Sequence, residues 1–192
     1  MNNEHLQPLK SDKNWLIIFI ISSIIIILSS ITFNIATTKV VPTQENTYKS
    51  ATPGFEFTNS IQENLGNPIE TKTTDLGIEY RYKSEYPVNP DIILVSPENK
   101  VIFMKEKISY NPENNLKPYL QKFGEPQLIL FSTQMSNSVR ANVFLNQGLV
   151  IFTHIKDQSV QEIWRFEPTT QEIFMNTWGK TLSTEENGPE AF

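Results

Sequence analysis

One pattern of helix-ending residues recurs along the chain and constrains its architecture more than any other feature. Ile61-Gln-Glu-Asn-Leu65-Gly66-Asn67-Pro68 returns as Tyr119-Leu-Gln-Lys-Phe123-Gly124-Glu125-Pro126, with the two glycines 58 positions apart. A third copy, Phe174-Met-Asn-Thr-Trp178-Gly179-Lys180, follows 55 positions later and lacks the proline. In each copy, apolar residues at i and i+4 share one helical face. The glycine suits the left-handed residue that closes a helix, and the proline beyond it prevents continuation. Pro112 and Pro168 stand where a first helical turn tolerates a missing N–H. The pattern predicts short helices over 57–65, 112–123 and 168–178.

Between these helices the apolar period changes from about four to two. Ile78, Tyr80 and Tyr82 alternate with Glu79, Arg81 and Lys83, as in a half-buried strand. Asp91–Val95 and Val101–Met104 flank a turn at 97–100, and the second half repeats the order with Val139–Leu145, Gly148–Ile155 and Ser159–Phe166. The expected fold class is α+β: tandem repeats of a helix plus an antiparallel meander, about 55–110 and 111–167, closed by a third short helix over 168–178. Each repeat is expected to form its own sheet, with one face on the helices and one face free.

Ahead of this domain lies an uncharged apolar run, Trp15 to Phe33. Nineteen residues at about 1.5 Å each match the hydrocarbon thickness of a bilayer, and the run is apolar on every side. It is expected to be a single transmembrane helix, a signal-anchor preceded by a tail over 1–14. Lys10 and Lys13 lie closer to it than Lys39 and Lys49, which leans toward a cytoplasmic N-terminus and an extracytoplasmic domain. Residues 34–54, polar and broken by Pro42 and Pro53, read as a flexible linker, and 180–192 as a disordered tail.

A helix ending in apolar-Gly-x-Pro, followed by an antiparallel meander and then repeated, resembles the fold shared by β-lactamase inhibitor proteins and the SmpA/OmlA (BamE-like) envelope lipoproteins. The resemblance covers residues 57–178 and rests on Leu65-Gly66-Asn67-Pro68 and Phe123-Gly124-Glu125-Pro126. It implies an extracytoplasmic binding module. The chain departs from the lipoproteins in having no cysteine to lipidate.

The sequence offers little for catalysis. The net charge of −5 and only three arginines, Arg81, Arg140 and Arg165, disfavour nucleic acid. Thiolate chemistry is excluded, and of the two histidines, His5 lies ahead of the apolar run and His154 has no HxH or HxxxH partner. No GxSxG, GxGxxG or GxxxxGK[ST] sequence occurs. A triad would need His154 oriented by Asp75, Asp91 or Asp157. The carboxylates Glu79, Glu85, Glu162 and Glu167 read as strand-flanking residues, with Glu79 and Glu162 on the solvent side. No catalytic, cofactor or metal site is expected. The expected contacts for a protein partner outside the cytoplasm are aromatic: Tyr86, in the stiff loop Tyr86-Pro87-Val88-Asn89-Pro90, with Tyr80 and Tyr82 beside it. The reading is a membrane-anchored, non-enzymatic binding or envelope-assembly module; the alternatives are a membrane-bound hydrolase using carboxylates and an inhibitor of an extracellular enzyme.

Overall fold

The computed structural model describes residues 46–85, 89–132 and 138–185, all within the compact unit Pro42–Phe192. The chain runs through helix α1 (Asn59–Leu65) into β1 (Glu70–Thr74), β2 (Gly77–Tyr82), β3 (Asp91–Val95) and β4 (Val101–Lys107). Helix α2 (Lys117–Phe123) then leads into β5 (Leu128–Ser132), β6 (Val139–Phe144), β7 (Leu149–His154) and β8 (Val160–Phe166). Helix α3 (Gln171–Thr177) and the short β9 (Leu182–Ser183) complete the described residues.

These elements correct the expected fold class. The two runs of strands are not separate sheets. They join through β4 and β8 into one antiparallel sheet of nine strands, in the order β1-β2-β3-β4-β8-β7-β6-β5-β9. The described residues are thus mainly a single sheet, accompanied by three helices of seven residues each. The expected transmembrane, signal-anchor segment, Trp15 to Phe33, lies outside the described residues. Among the described residues no helix is long and apolar enough to cross a membrane.

Three strands escaped the sequence pattern. β1, Glu-Thr-Lys-Thr-Thr, is exposed along nearly its whole length, so neither face imposes an apolar alternation. β5 follows immediately after the helix-ending proline, and β9 has only two residues. Helices α2 and α3 begin later than their prolines suggested. The Asn111 side chain accepts the Glu113 N–H at 2.9 Å, a local turn that competes with helix at Pro112. Helix α2 instead has Pro118 in its first turn, and the Thr170 hydroxyl caps α3 by accepting the Ile173 N–H at 3.3 Å.

The expected linker boundary at residue 54 also moves. Asn46, Tyr48, Ala51 and Thr52 are buried, and Gly54 donates its N–H to the Val101 carbonyl at 2.7 Å. Residues 46–54 therefore belong to the domain. At the other end, Leu182 is buried and pairs with Ser132, so the domain continues past 180.

The register assigns the two sheet faces. Tyr80, Ile93, Met104, Arg165, Leu149 and Phe144 stand opposite one another in succession across six strands. On that face, α1 packs Ile61 and Leu65 over Tyr82, Ile93 and Met104. Helix α2 brings Tyr119, Leu120 and Phe123 against Phe144, Leu149 and Ile151. On the opposite face, α3 buries Phe174 among Val143, Val150, Phe152 and Phe166, with Trp178 stacked on Phe103 at 4.7 Å. Helices thus cover both faces, because the second-half strands carry apolar residues at both parities.

The repeated glycines have the same role in both halves. Gly66 and Gly124 each adopt φ of 77°, and each donates its N–H back to the helix it ends, to Gln62 and Leu120 respectively. No atom stands near an added Cβ at either position. Replacing either with Ala is therefore expected to cost about 1–2 kcal/mol from backbone strain alone, and the double variant about the sum. Urea unfolding measures both; a loss below about 0.3 kcal/mol would show that φ at these positions is unimportant.

Candidate functional site

Two of the three buried charged side chains among the described residues, Glu162 and Arg165, lie on β8 at its junction with β4. Lys107 and Glu162 face each other across it and form an ion pair, with Glu162 fully buried. The Trp164 indole N–H also donates to Glu162. This corrects the expectation that Glu162 faces solvent. It shares its strand face with Trp164 and Phe166, and that face lies under α3 rather than in water.

The other face of the same junction holds a second charged group. Arg165 is nearly buried and pairs with Glu106 at 2.7 Å. Its guanidinium lies 5.8 Å from the ring centre of Tyr48, which approaches from residues 46–51. The Tyr48 hydroxyl donates to Asp91 at 2.6 Å, and the Lys107 backbone N–H reaches the other carboxylate oxygen at 2.8 Å. Burial, and then the hydrogen bond to Asp91, push the Tyr48 hydroxyl well above the usual phenol range, so it remains a donor. A cleft of about 440 Å³ opens beside this group, lined by Tyr48, Asp91 and Glu106 and by Lys49, Lys83 and Glu85.

The aromatic contacts expected from sequence separate in space. Tyr86 lies outside the described residues. Tyr82 is 2% exposed and forms part of the core, with its hydroxyl pushed up to about 12 by burial and secondarily by Tyr80. A partner cannot reach it. Tyr80 is half-buried against Phe57, ring centres 5.1 Å apart, beside a shallow groove that Ile78 also lines.

Of the candidate catalytic groups, His154 and Asp157 come together. His154 stands 3.5 Å from Asp157, whose carboxylate accepts the Ser159 backbone N–H at 3.0 Å. That bond, ahead of the Tyr110 hydroxyl and His154, holds Asp157 down to about 2. Ser159 is fully buried, so it presents no nucleophile to a substrate. Glu79 is held by Arg81 at 2.6 Å, and Arg81 also pairs with Glu70 at 2.9 Å. Among the described residues no group of three or more His, Asp and Glu side chains is placed to hold a metal.

The sheet edge offers a different kind of surface. Among the described residues β1 is a terminal strand with no further strand on its outer side, whereas the opposite edge, β9, has only two residues. Thr74 pairs with Gly77 across the two-residue turn of Asp75 and Leu76. In such a hairpin, residues 70, 72 and 74 direct their backbone groups to β2, and Thr71 and Thr73 direct theirs outward. Ile69, 65% exposed, adjoins this edge.

Sequence reasoning missed Tyr48 and Lys49, which it placed in the linker, and the inward orientation of Glu162. The parity of Glu162 with Trp164 and Phe166 was the available signal for the latter. Searches against protein-family models, curated proteins and solved structures return no match for this chain.

Replacing Glu162 with Leu strands the Lys107 ammonium, and the expected loss is about 3–5 kcal/mol. Adding Lys107→Met to that variant is expected to restore part of it. A urea-unfolding double-mutant cycle checks this; additive single losses would show that the pair contributes no coupling.

Proposed function

We propose that this domain is a non-enzymatic binding module that receives an extended segment of a protein partner on the free edge of β1. The observation that carries the proposal is an edge strand of five residues, without proline or bulge, whose outer side is paired by no strand among the described residues. Glu70 and Lys72 on one face favour a partner strand with charges in the opposite order. The exposed Ile69 adds an apolar contact on the other face. The role agrees with what the SmpA/OmlA resemblance implies. Carboxylate hydrolysis is the weaker reading, because Glu162 is committed to Lys107 and Trp164 and Glu79 to Arg81.

Thr71→Pro removes one outward N–H and leaves the pairing of β1 with β2 in place. With a photo-crosslinking residue at Thr73 in the full chain, adducts are expected in the cells that naturally make the protein. They should disappear in the Thr71→Pro background. Adducts that persist undiminished would place the contact elsewhere, and an adduct of twice the chain mass would make the partner a second copy.

The proposed placement of the domain outside the cytoplasm has a separate test. Glu98 is an exposed turn residue, whereas the neighbouring Asn99 holds φ of 61° and bonds Phe57 through its backbone carbonyl and its side chain. A single Cys at Glu98 should react with a membrane-impermeant maleimide in intact cells. Reaction only after lysis would put the domain inside.

A further inference from the structure

We infer that the cleft beside Tyr48 and Asp91 is a binding site for a small zwitterion, a molecule carrying one ammonium and one carboxylate, of the class of α-amino acids and short peptides. Its volume, about 440 Å³, falls within the range typical of small-molecule sites. Most of its lining is charged or polar, which disfavours an apolar guest.

The charges around the cleft fall into two groups. Glu106 is neutralised by Arg165, and the Lys107 ammonium by Glu162 on the other face of the sheet. Four charges then remain. Asp91 receives a tyrosine hydroxyl and a backbone N–H, both neutral donors, and forms no ion pair among the described residues. A carboxylate has about four lone-pair positions, and those two donors occupy only half of them. Glu85 is exposed and pairs with no cation among the described residues. Lys49 stands 5.2 Å over the Tyr48 ring, and neither it nor Lys83 meets a carboxylate among the described residues. Among the described residues the cleft therefore presents two cations and two anions that enter no ion pair.

A guest bearing one sign of charge satisfies half of these groups and faces repulsion from the others. A guest bearing both satisfies each set, with its carboxylate toward Lys49 and Lys83 and its ammonium toward Asp91 and Glu85. Tyr48 and Arg165 hold the acidic wall in place before any ligand arrives, which reduces the ordering cost of binding. No residue of β1 lines the cleft, so this inference stands independently of the strand-addition proposal.

Isothermal titration calorimetry on the full-length chain tests the inference with three probes: L-alanyl-L-alanine, its N-acetyl derivative and its C-terminal amide. The unmodified dipeptide is expected to bind saturably, and each capped form to bind about tenfold more weakly or worse. Lys83→Ala and Glu85→Gln, both at exposed positions, should leave the fold intact and each weaken the dipeptide severalfold. No saturable heat up to about 10 mM would overturn the inference, since that corresponds to less than about 3 kcal/mol of binding. Equal binding of the capped forms would also overturn it, because the site would then read neither charge. Unchanged affinity in both variants would place the binding elsewhere and overturn it as well.

Discussion

The pairing of β4 with β8 turns two runs of strands into one sheet, and the rest of the domain depends on it. Each of these strands is the last of its run, so the join brings the C-terminal strands of the two halves side by side. Two ion pairs bridge this join, Lys107 with Glu162 on one face and Arg165 with Glu106 on the other. A slip of one residue would carry each charge to the opposite face and leave it facing apolar groups. Buried ion pairs add little net stability over a well-packed apolar pair, but breaking one is costly. They therefore act here mainly on register, penalising misaligned pairings more than they favour the correct one.

The placement of the helices follows from that join. With the sheet continuous, the apolar residues of both parities on β6, β7 and β8 need cover on both sides. Helix α2 supplies it on one face and α3 on the other, while α1 covers β2 to β4. No helix cluster includes β1, and among the described residues no strand pairs with its outer side. The arrangement thus leaves one strand edge available, opposite in character to the charged cleft where residues 46–51 cross the end of the join. One surface offers backbone groups to an extended chain; the other offers fixed charges of both signs to a small molecule.

Much of the local structure was legible in the sequence. The glycines of Leu65-Gly66 and Phe123-Gly124 marked two helix ends to the residue, because a positive φ is a local backbone requirement that few other residues meet. Alternation located β2, and apolar runs whose order repeats in the second half located β3, β4, β6, β7 and β8. β1 was invisible because Glu-Thr-Lys-Thr-Thr is exposed on both faces and carries no periodic signal. The candidate site was legible only in fragments. Tyr80 and Tyr82 share a face as their spacing predicted, but which side of the sheet the helix covers decided that Tyr82 is buried.

By itself the sequence determined where two of the three helices stop, where most of the strands with a buried face lie, and that thiolate chemistry is excluded. These depend on short-range stereochemistry and composition, which each segment carries regardless of its neighbours. Tertiary structure alone decided that the strands form one sheet, that Glu162 is buried and that Tyr48 belongs to the domain. It also decided which of the charges around the cleft are already neutralised. Those outcomes depend on contacts between residues more than forty positions apart, as between Tyr48 and Asp91, and local propensity contains no information about such pairings.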